Sequence, residues 1–355
     1  MNFQLIGTDL YPHNSKGGRV MDHHLAPFCK HRTRSLLESV AVVLAAVLLF
    51  GVSFAEAGKK KPLEIVDVII VGDRVVDISY NLGVLPKAMS VRGSMWSMAP
   101  KLKIAGEILG CPNCLAKNPD ILPKACKKYG IKRLIVEKSD PYCLYKANVK
   151  PEKVASLMEG TGVTIEYVDF SKGLDAAVHR TAELLGRTDM VEGVLTGYKK
   201  KLSSIEQEVT QAQSGKKVLI INGVYQPSSG KSILRIEAPN GYSDIFLLER
   251  LGCMNVGDAF QPADSKSTKG HYAVKKTRQG FDLSPLLQAK PDVIVITQDA
   301  YAVQKALAVA LAANPALKDV PALANLEIYK LPRYVDSSVL EYPVILKKWA
   351  AALAK

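Results

Sequence analysis

Four cysteines crowd one window of the chain: Cys111, Cys114, Cys126 and Cys143. The first two form Cys111-Pro112-Asn113-Cys114, a pair with two residues between them. Thiolates at this spacing hold zinc or an iron–sulfur cluster when further ligands complete the set. The spacing also suits dithiol–disulfide exchange. In an oxidising compartment the four thiols could instead close two disulfides around a loop-rich insertion over residues 111–141. The second C-x-x-C that would make a metal site strong is absent from the window. A redox pair belongs just after a strand and at the start of a helix. Here residues 101–109 read as a helix ended by Gly110, and Pro119 and Pro123 follow the pair. The disulfide reading therefore stands first, the metal site second and the redox pair last. Cys253 reads as a small buried residue elsewhere in the chain.

Other side chains suit ligand capture better than catalysis. Met89, Met95 and Met98 flank Trp96; thioethers suit soft metals, and methionine also fills cores. His271-Tyr272 sits in a polar, basic stretch over residues 263–278 that reads as a lid, and both types coordinate iron. Serine–histidine–acid and histidine-rich zinc patterns are missing, and only His179 and His271 remain beyond the amino-terminal segment. A P-loop over Gly230-Lys231-Ser232 is excluded, because the nearest upstream glycine, Gly223, leaves six intervening residues where four are needed.

The elements that would position these groups alternate in type. Short apolar runs at 65–71, 74–79, 133–137 and 164–168 read as strands, with helices at 101–109 and 151–159 between them. A proline-free stretch follows. Val191, Val194, Leu195, Tyr198, Leu202, Ile205 and Val209 recur there at helical spacing. A helix over 189–213 would be about 37 Å long and suits a spine between two lobes. A second series follows: strands at 217–222, 291–297 and 326–331, and helices at 242–251, 301–313 and 342–354. Strands alternating with helices predict a mainly parallel sheet covered on both faces.

The chain has 355 residues, 48% hydrophobic and 23% charged, with a net charge of +13. That excludes a disordered chain and a multi-span membrane protein. Lys30, His31, Arg32 and Arg34 precede a short apolar run over 40–50, and small residues follow at 53–57. These are the parts of a secretory signal, with cleavage near Ala55 or Ala57. Removing residues 1–57 takes away five basic and four acidic residues, so the remainder carries +12. Export to the periplasm moves the expected partner from nucleic acid to an anionic ligand or a membrane surface.

The order of segments resembles the periplasmic substrate-binding proteins of the iron-siderophore, haem and cobalamin ABC importers. The resemblance rests on Arg74-Val75-Val76-Asp77-Ile78-Ser79 as an opening strand, Leu184-Leu185-Gly186-Arg187 before the long helix, and Gly252-Cys253-Met254-Asn255-Val256 as a turn. It continues through Asp282-Leu283-Ser284-Pro285, Lys290-Pro291-Asp292-Val293-Ile294-Val295, Asn314-Pro315 and Leu331-Pro332. It implies an α/β fold with two Rossmann-like lobes, each with a mainly parallel sheet, joined by one long linker helix. The implied divisions are a signal and extension at 1–57, an amino-terminal lobe at 58–186, the linker at 187–213 and a carboxyl-terminal lobe at 214–355. It implies a monomer that performs no chemistry and needs no cofactor. Such a protein captures an iron chelate, haem or corrinoid between its lobes and docks on an inner-membrane ABC permease.

One departure concerns docking. The acid that the family carries after its first cleft loop is missing, and Asp244 is the nearest acid in the second lobe. Ligands of open α/β sheets sit beyond the carboxyl ends of the strands. Those ends nominate Tyr80, Asn81, Arg92, Trp96, Tyr225, Gln298, Tyr301 and Arg333, with His271 and Tyr272 from the lid. Arg92 and Arg333 are expected to meet acidic groups of the ligand. The alternative function is an exported metal-binding or thiol redox protein that uses Cys111 and Cys114.

Overall fold

A computed structural model describes residues 63–211, 214–263, 270–278 and 280–354. The proposed signal and extension at 1–57 and part of the expected lid lie outside these residues. Among the described residues no helix is long and apolar enough to cross a membrane.

Two sheets form. The first has five strands in the order β3-β2-β1-β4-β5, with β1 at Glu64–Val71, β2 at Val84–Ser90, β3 at Glu107–Ile108, β4 at Arg133–Lys138 and β5 at Thr164–Asp169. All of its pairings are parallel. Ile70 and Ile135 enter one apolar cluster, while Ile69, Val71, Leu134 and Val136 enter another on the opposite face. Burial on both faces explains why these strands read as continuous apolar runs.

The second sheet runs β11-β10-β6-β7-β9, with β8 also paired to β6. Its strands are β6 at Lys217–Gln226, β7 at Lys231–Glu237, β8 at Met254–Asn255, β9 at His271–Ala273, β10 at Val293–Gln298 and β11 at Ile328–Lys330. β7 and β9 are antiparallel. β7, a strand that periodicity alone does not reveal, forms a hairpin with β6, and Lys231 and Ser232 of the excluded P-loop lie at its start. Again the central strands split their side chains: Leu219, Ile221, Ile294 and Ile296 face one cluster, Val218, Ile220, Val293 and Val295 another.

The long helix Val191–Gln211 lies between the two sheets in the chain. Val191 and Leu195 join an apolar cluster of the first sheet, whereas Ile205 and Val209 join one of the second. One helix of 21 residues, about 30 Å long, thereby contributes to both cores.

Two expected elements differ. Residues 74–79 form no strand; they belong to the helix Asp73–Asn81. Val75, Ile78 and Leu82 are fully buried at helical spacing, but the helix is buried on nearly every side, which erases the polar face that marks a surface helix. Residues 101–109 contain only the short helix Ala99–Leu102, and Glu107–Ile108 pairs with β2.

Gly72 joins β1 to this helix at φ +127, and a Cβ there would stand 2.2 Å from Glu137 Cβ. Gly72→Ala is expected to cost on the order of 3 kcal/mol, combining backbone strain and overpacking. The midpoint of urea unfolding reads this loss.

Candidate functional site

The carboxyl ends of the strands carry a buried ion network. Asp73 and Arg74 open the helix that follows β1, Arg92 lies two residues beyond β2, and Glu137 sits near the end of β4. A segment beyond β11 crosses to them and supplies Asp336 and Ser337. All six are buried, with Asp73, Glu137 and Ser337 fully enclosed.

The Arg92 guanidinium donates to Asp73 Oδ2 at 2.5 Å, the Tyr142 carbonyl at 2.8 Å, the Tyr242 hydroxyl at 2.7 Å and Ser337 Oγ at 3.0 Å. It also lies 2.9 Å from Asp336 Oδ1 and stacks 4.4 Å over the Tyr142 ring. Arg74 donates to Glu137 through its backbone N–H and Nη1, each at 3.0 Å, and pairs with Asp336. Burial opposes the charge on Asp73, but Arg92 and the Ser337 and Tyr142 hydroxyls outweigh it and hold that carboxyl below its ordinary value. Burial raises Glu137 despite Arg74. Asp77, one helical turn beyond Asp73, is pushed up to about 8, chiefly by burial.

Two cavities flank this network. The smaller, about 490 Å³, is lined by Met95, Trp96, Gln298, Lys330, Pro332 and Arg333 among others. The larger, about 890 Å³, includes Lys138, Phe170, Tyr198, Phe246, Arg250 and Tyr342. Sequence reasoning missed the larger one. The aromatic and basic residues just beyond β4 and β5 were the available signal for it.

Trp96, Gln298 and Arg333 meet at the smaller cavity, as strand-end residues of opposite sheets. Trp96 is largely enclosed and donates to Ser338 Oγ at 2.5 Å. Gln298 sits at φ +67 where β10 turns into the next helix. Arg333 Nη2 lies 3.3 Å from His271 Nε2. Burial first, then Arg333 and Arg235, lower His271 to about 4, so its ring is neutral and its Nε2 accepts from Arg333 instead of facing open space.

The other nominated residues lie elsewhere. Arg92 belongs to the network, so its charge is already met by carboxylates of this chain and not left for a ligand. Tyr80 and Asn81 end the helix Asp73–Asn81, at the edge remote from the strand ends. Asn81 Nδ2 donates to the Asp77 carbonyl at 2.8 Å. Tyr272 is 3% exposed, and its hydroxyl donates to Asp258 Oδ1 at 2.8 Å; strand alternation turns it to the face opposite His271. Tyr225 lies within β6 and packs edge-on against Tyr301, with centroids 5.0 Å apart; neither lines these two cavities. Met89 and Met98 are core residues, which leaves Met95 at the smaller cavity. Asp244, the acid nearest the family's docking position in the second lobe, is buried and accepts from Asn255 Nδ2 at 3.0 Å.

The cysteines also differ from the expectation. All five among the described residues are free thiols. Cys126 and Cys143 are buried in separate apolar clusters, so neither the double staple nor a four-thiolate site assembles. No group of three or more His, Cys, Asp or Glu among the described residues is placed to hold a metal ion. Cys111 and Cys114 follow β3 and open the helix Pro112–Lys117, with their sulfurs 3.2 Å apart. The strand-then-helix setting read as absent is present, because residues 107–108 are a strand.

No family model matches the chain, and no curated protein matches it. Solved structures do. The periplasmic haem-binding protein BhuT, in complex with two haems, aligns at TM-score 0.52 and 15% identity, over 81% of this chain and 97% of that one. The periplasmic haem-binding protein RhuT from Roseiflexus sp. RS-1, in apo form, aligns at TM-score 0.50 and 12% identity, over 81% and 97%. At such identities the similarity shows the fold, which is that of the helical-backbone periplasmic binding proteins.

Proposed function

We propose that the protein is the exported solute-binding component of an ABC importer and captures a metal chelate of the haem or iron-siderophore type. The observation that carries this reading is the smaller cavity. It lies at the carboxyl ends of strands from both sheets, where open α/β folds bind ligands. Lys330 and Arg333 offer positive charge to an acidic chelate, Trp96 adds a flat apolar wall, and Met95 a soft sulfur. Its volume falls in the usual range for small-molecule sites, roughly 300–1,000 Å³. BhuT and RhuT are haem-binding proteins, so haem is the first ligand to try. A corrinoid is the third ligand to try. The protein then works as a monomer in the periplasm and hands its ligand to an inner-membrane permease, with no bound cofactor of its own. The division at 58–186, 187–213 and 214–355 describes its lobes and linker in this reading.

Absorption titration of the apo-protein with haemin, a ferric siderophore and a corrinoid tests it. One of the three is expected to bind with Kd at or below the micromolar range. Lys330→Ala with Arg333→Ala is expected to weaken it about tenfold or more, since each hydrogen bond to a charged group contributes about 1.5–3 kcal/mol. Binding by none of the three, or affinity indifferent to both substitutions, overturns the reading.

A further inference from the structure

We infer that Cys111 and Cys114 are a reversible dithiol–disulfide couple, a redox site separate from the cavity. The inference does not rest on the transport reading. The sulfurs stand 3.2 Å apart, and the Cys114 N–H donates to the Cys111 carbonyl at 2.7 Å. Such a turn brings its first and fourth Cα atoms within about 7 Å, close to the span a disulfide bridges. The sulfurs need approach by only about an ångström to reach a bond length of roughly 2.05 Å.

The turn is held from below. Pro112 and Leu115 are buried, so the short helix cannot swing away. Gly110 adopts φ +99, and a Cβ there would stand 3.0 Å from Cys114 Cβ. Glycine therefore leaves the room that lets the two cysteine side chains sit together. Gly110 is itself anchored, its carbonyl accepting from Val91 N–H at 2.9 Å. Cys114 is exposed and Cys111 half-buried, the arrangement of an attacking and a resolving thiol. Cys126 and Cys143, each 5% exposed, are shielded.

The co-reactant is a disulfide, carried by a protein or a small molecule. The Cys114 thiolate attacks one sulfur of that disulfide, the partner S–S bond breaks, and one partner thiolate leaves. Cys111 then loses its proton and attacks Cys114 Sγ, forming the Cys111–Cys114 bond and expelling the second partner thiolate. Two electrons pass from the pair to the partner, and the two protons released go to the leaving thiolates. Burial and the neighbouring Cys114 raise the Cys111 thiol. The reduced form therefore gains no stabilised thiolate at this sulfur, a property that favours the disulfide.

Full-length reduced protein equilibrated in a series of reduced and oxidised glutathione, quenched with acid, labelled with maleimide and mapped by peptide mass, tests this. Cys111 and Cys114 are expected to lose label together in one two-electron step and to lose two hydrogens in mass. Cys126 and Cys143 are expected to stay reduced. Cys111→Ser should trap a glutathione mixed disulfide on Cys114 that the unsubstituted pair resolves. Both sites lie at the surface end of a short turn, and unchanged circular dichroism of the variant confirms its fold. Labelling of both thiols at the most oxidising ratio, pairing with another cysteine or another chain, or protection that a zinc chelator removes would each overturn the inference.

Discussion

Arg92→Ala is expected to destabilise the protein by about 3–5 kcal/mol, the usual cost of removing one partner from a buried ion pair. Arg92 is 4% exposed and meets two carboxylates, two hydroxyls and a carbonyl. Its loss strips Asp73 of its paired cation and leaves Asp336 with Arg74 alone. The melting temperature is expected to fall by about 10 °C. Adding Asp73→Asn to Arg92→Ala should restore part of the loss, because the stranded carboxylate is then gone, and a double-mutant cycle reads the coupling. A loss under about 1 kcal/mol, the value of an exposed pair, would mean that the network is open to water and the sheets are held apart at that point. The network spans elements of both sheets, so the same measurement reports how firmly the two halves are joined.

Asp77→Asn is expected to flatten the dependence of stability on pH. Asp77 is 2% exposed, and its Oδ2 accepts from the Leu340 N–H at 2.9 Å. Burial raises its carboxyl from 3.8 in the unfolded chain to about 8 in the fold. The folded state therefore holds a proton that the unfolded state releases. The contribution of this group is fully present below pH 4 and declines as pH rises, by up to about 1.4 kcal/mol per unit, until about pH 8. Glu137 and Glu237 are also raised by burial and tilt stability the same way in both proteins, so the difference between them isolates Asp77. Urea unfolding at pH 5, 6, 7 and 8 should give a steeper decline for the natural chain than for Asp77→Asn. Parallel profiles would show that Asp77 is ionised throughout.

Both predictions rest on contacts that pair residues far apart in sequence. Arg74 and Asp336 are separated by 262 positions. Strand-end logic nominates Arg92, which lies two residues beyond β2. It assigned the charge to a ligand, because nothing near Arg92 in sequence reveals that the segment beyond β11 crosses over with Asp336. The helix Asp73–Asn81 was misread for a related reason. With every residue from Asp73 to Ser79 buried, period-two and helical patterns cannot be told apart from apolarity alone. That error carried Tyr80 and Asn81 to the wrong end of the sheet. The redox setting of Cys111 and Cys114 was hidden by a strand of two residues, Glu107–Ile108, whose existence depends on its pairing with Ala88 and Met89.

The α/β class, six of the eleven strands among the described residues and the long helix Val191–Gln211 are legible in the local sequence. Local periodicity and apolar runs carry that information, since each element must hide its own face. Only the tertiary structure decided which charges neutralise one another, which cysteines share a turn and which aromatics face inward. Those outcomes depend on where distant backbone segments converge, and a buried charge takes whatever partner the fold brings within reach.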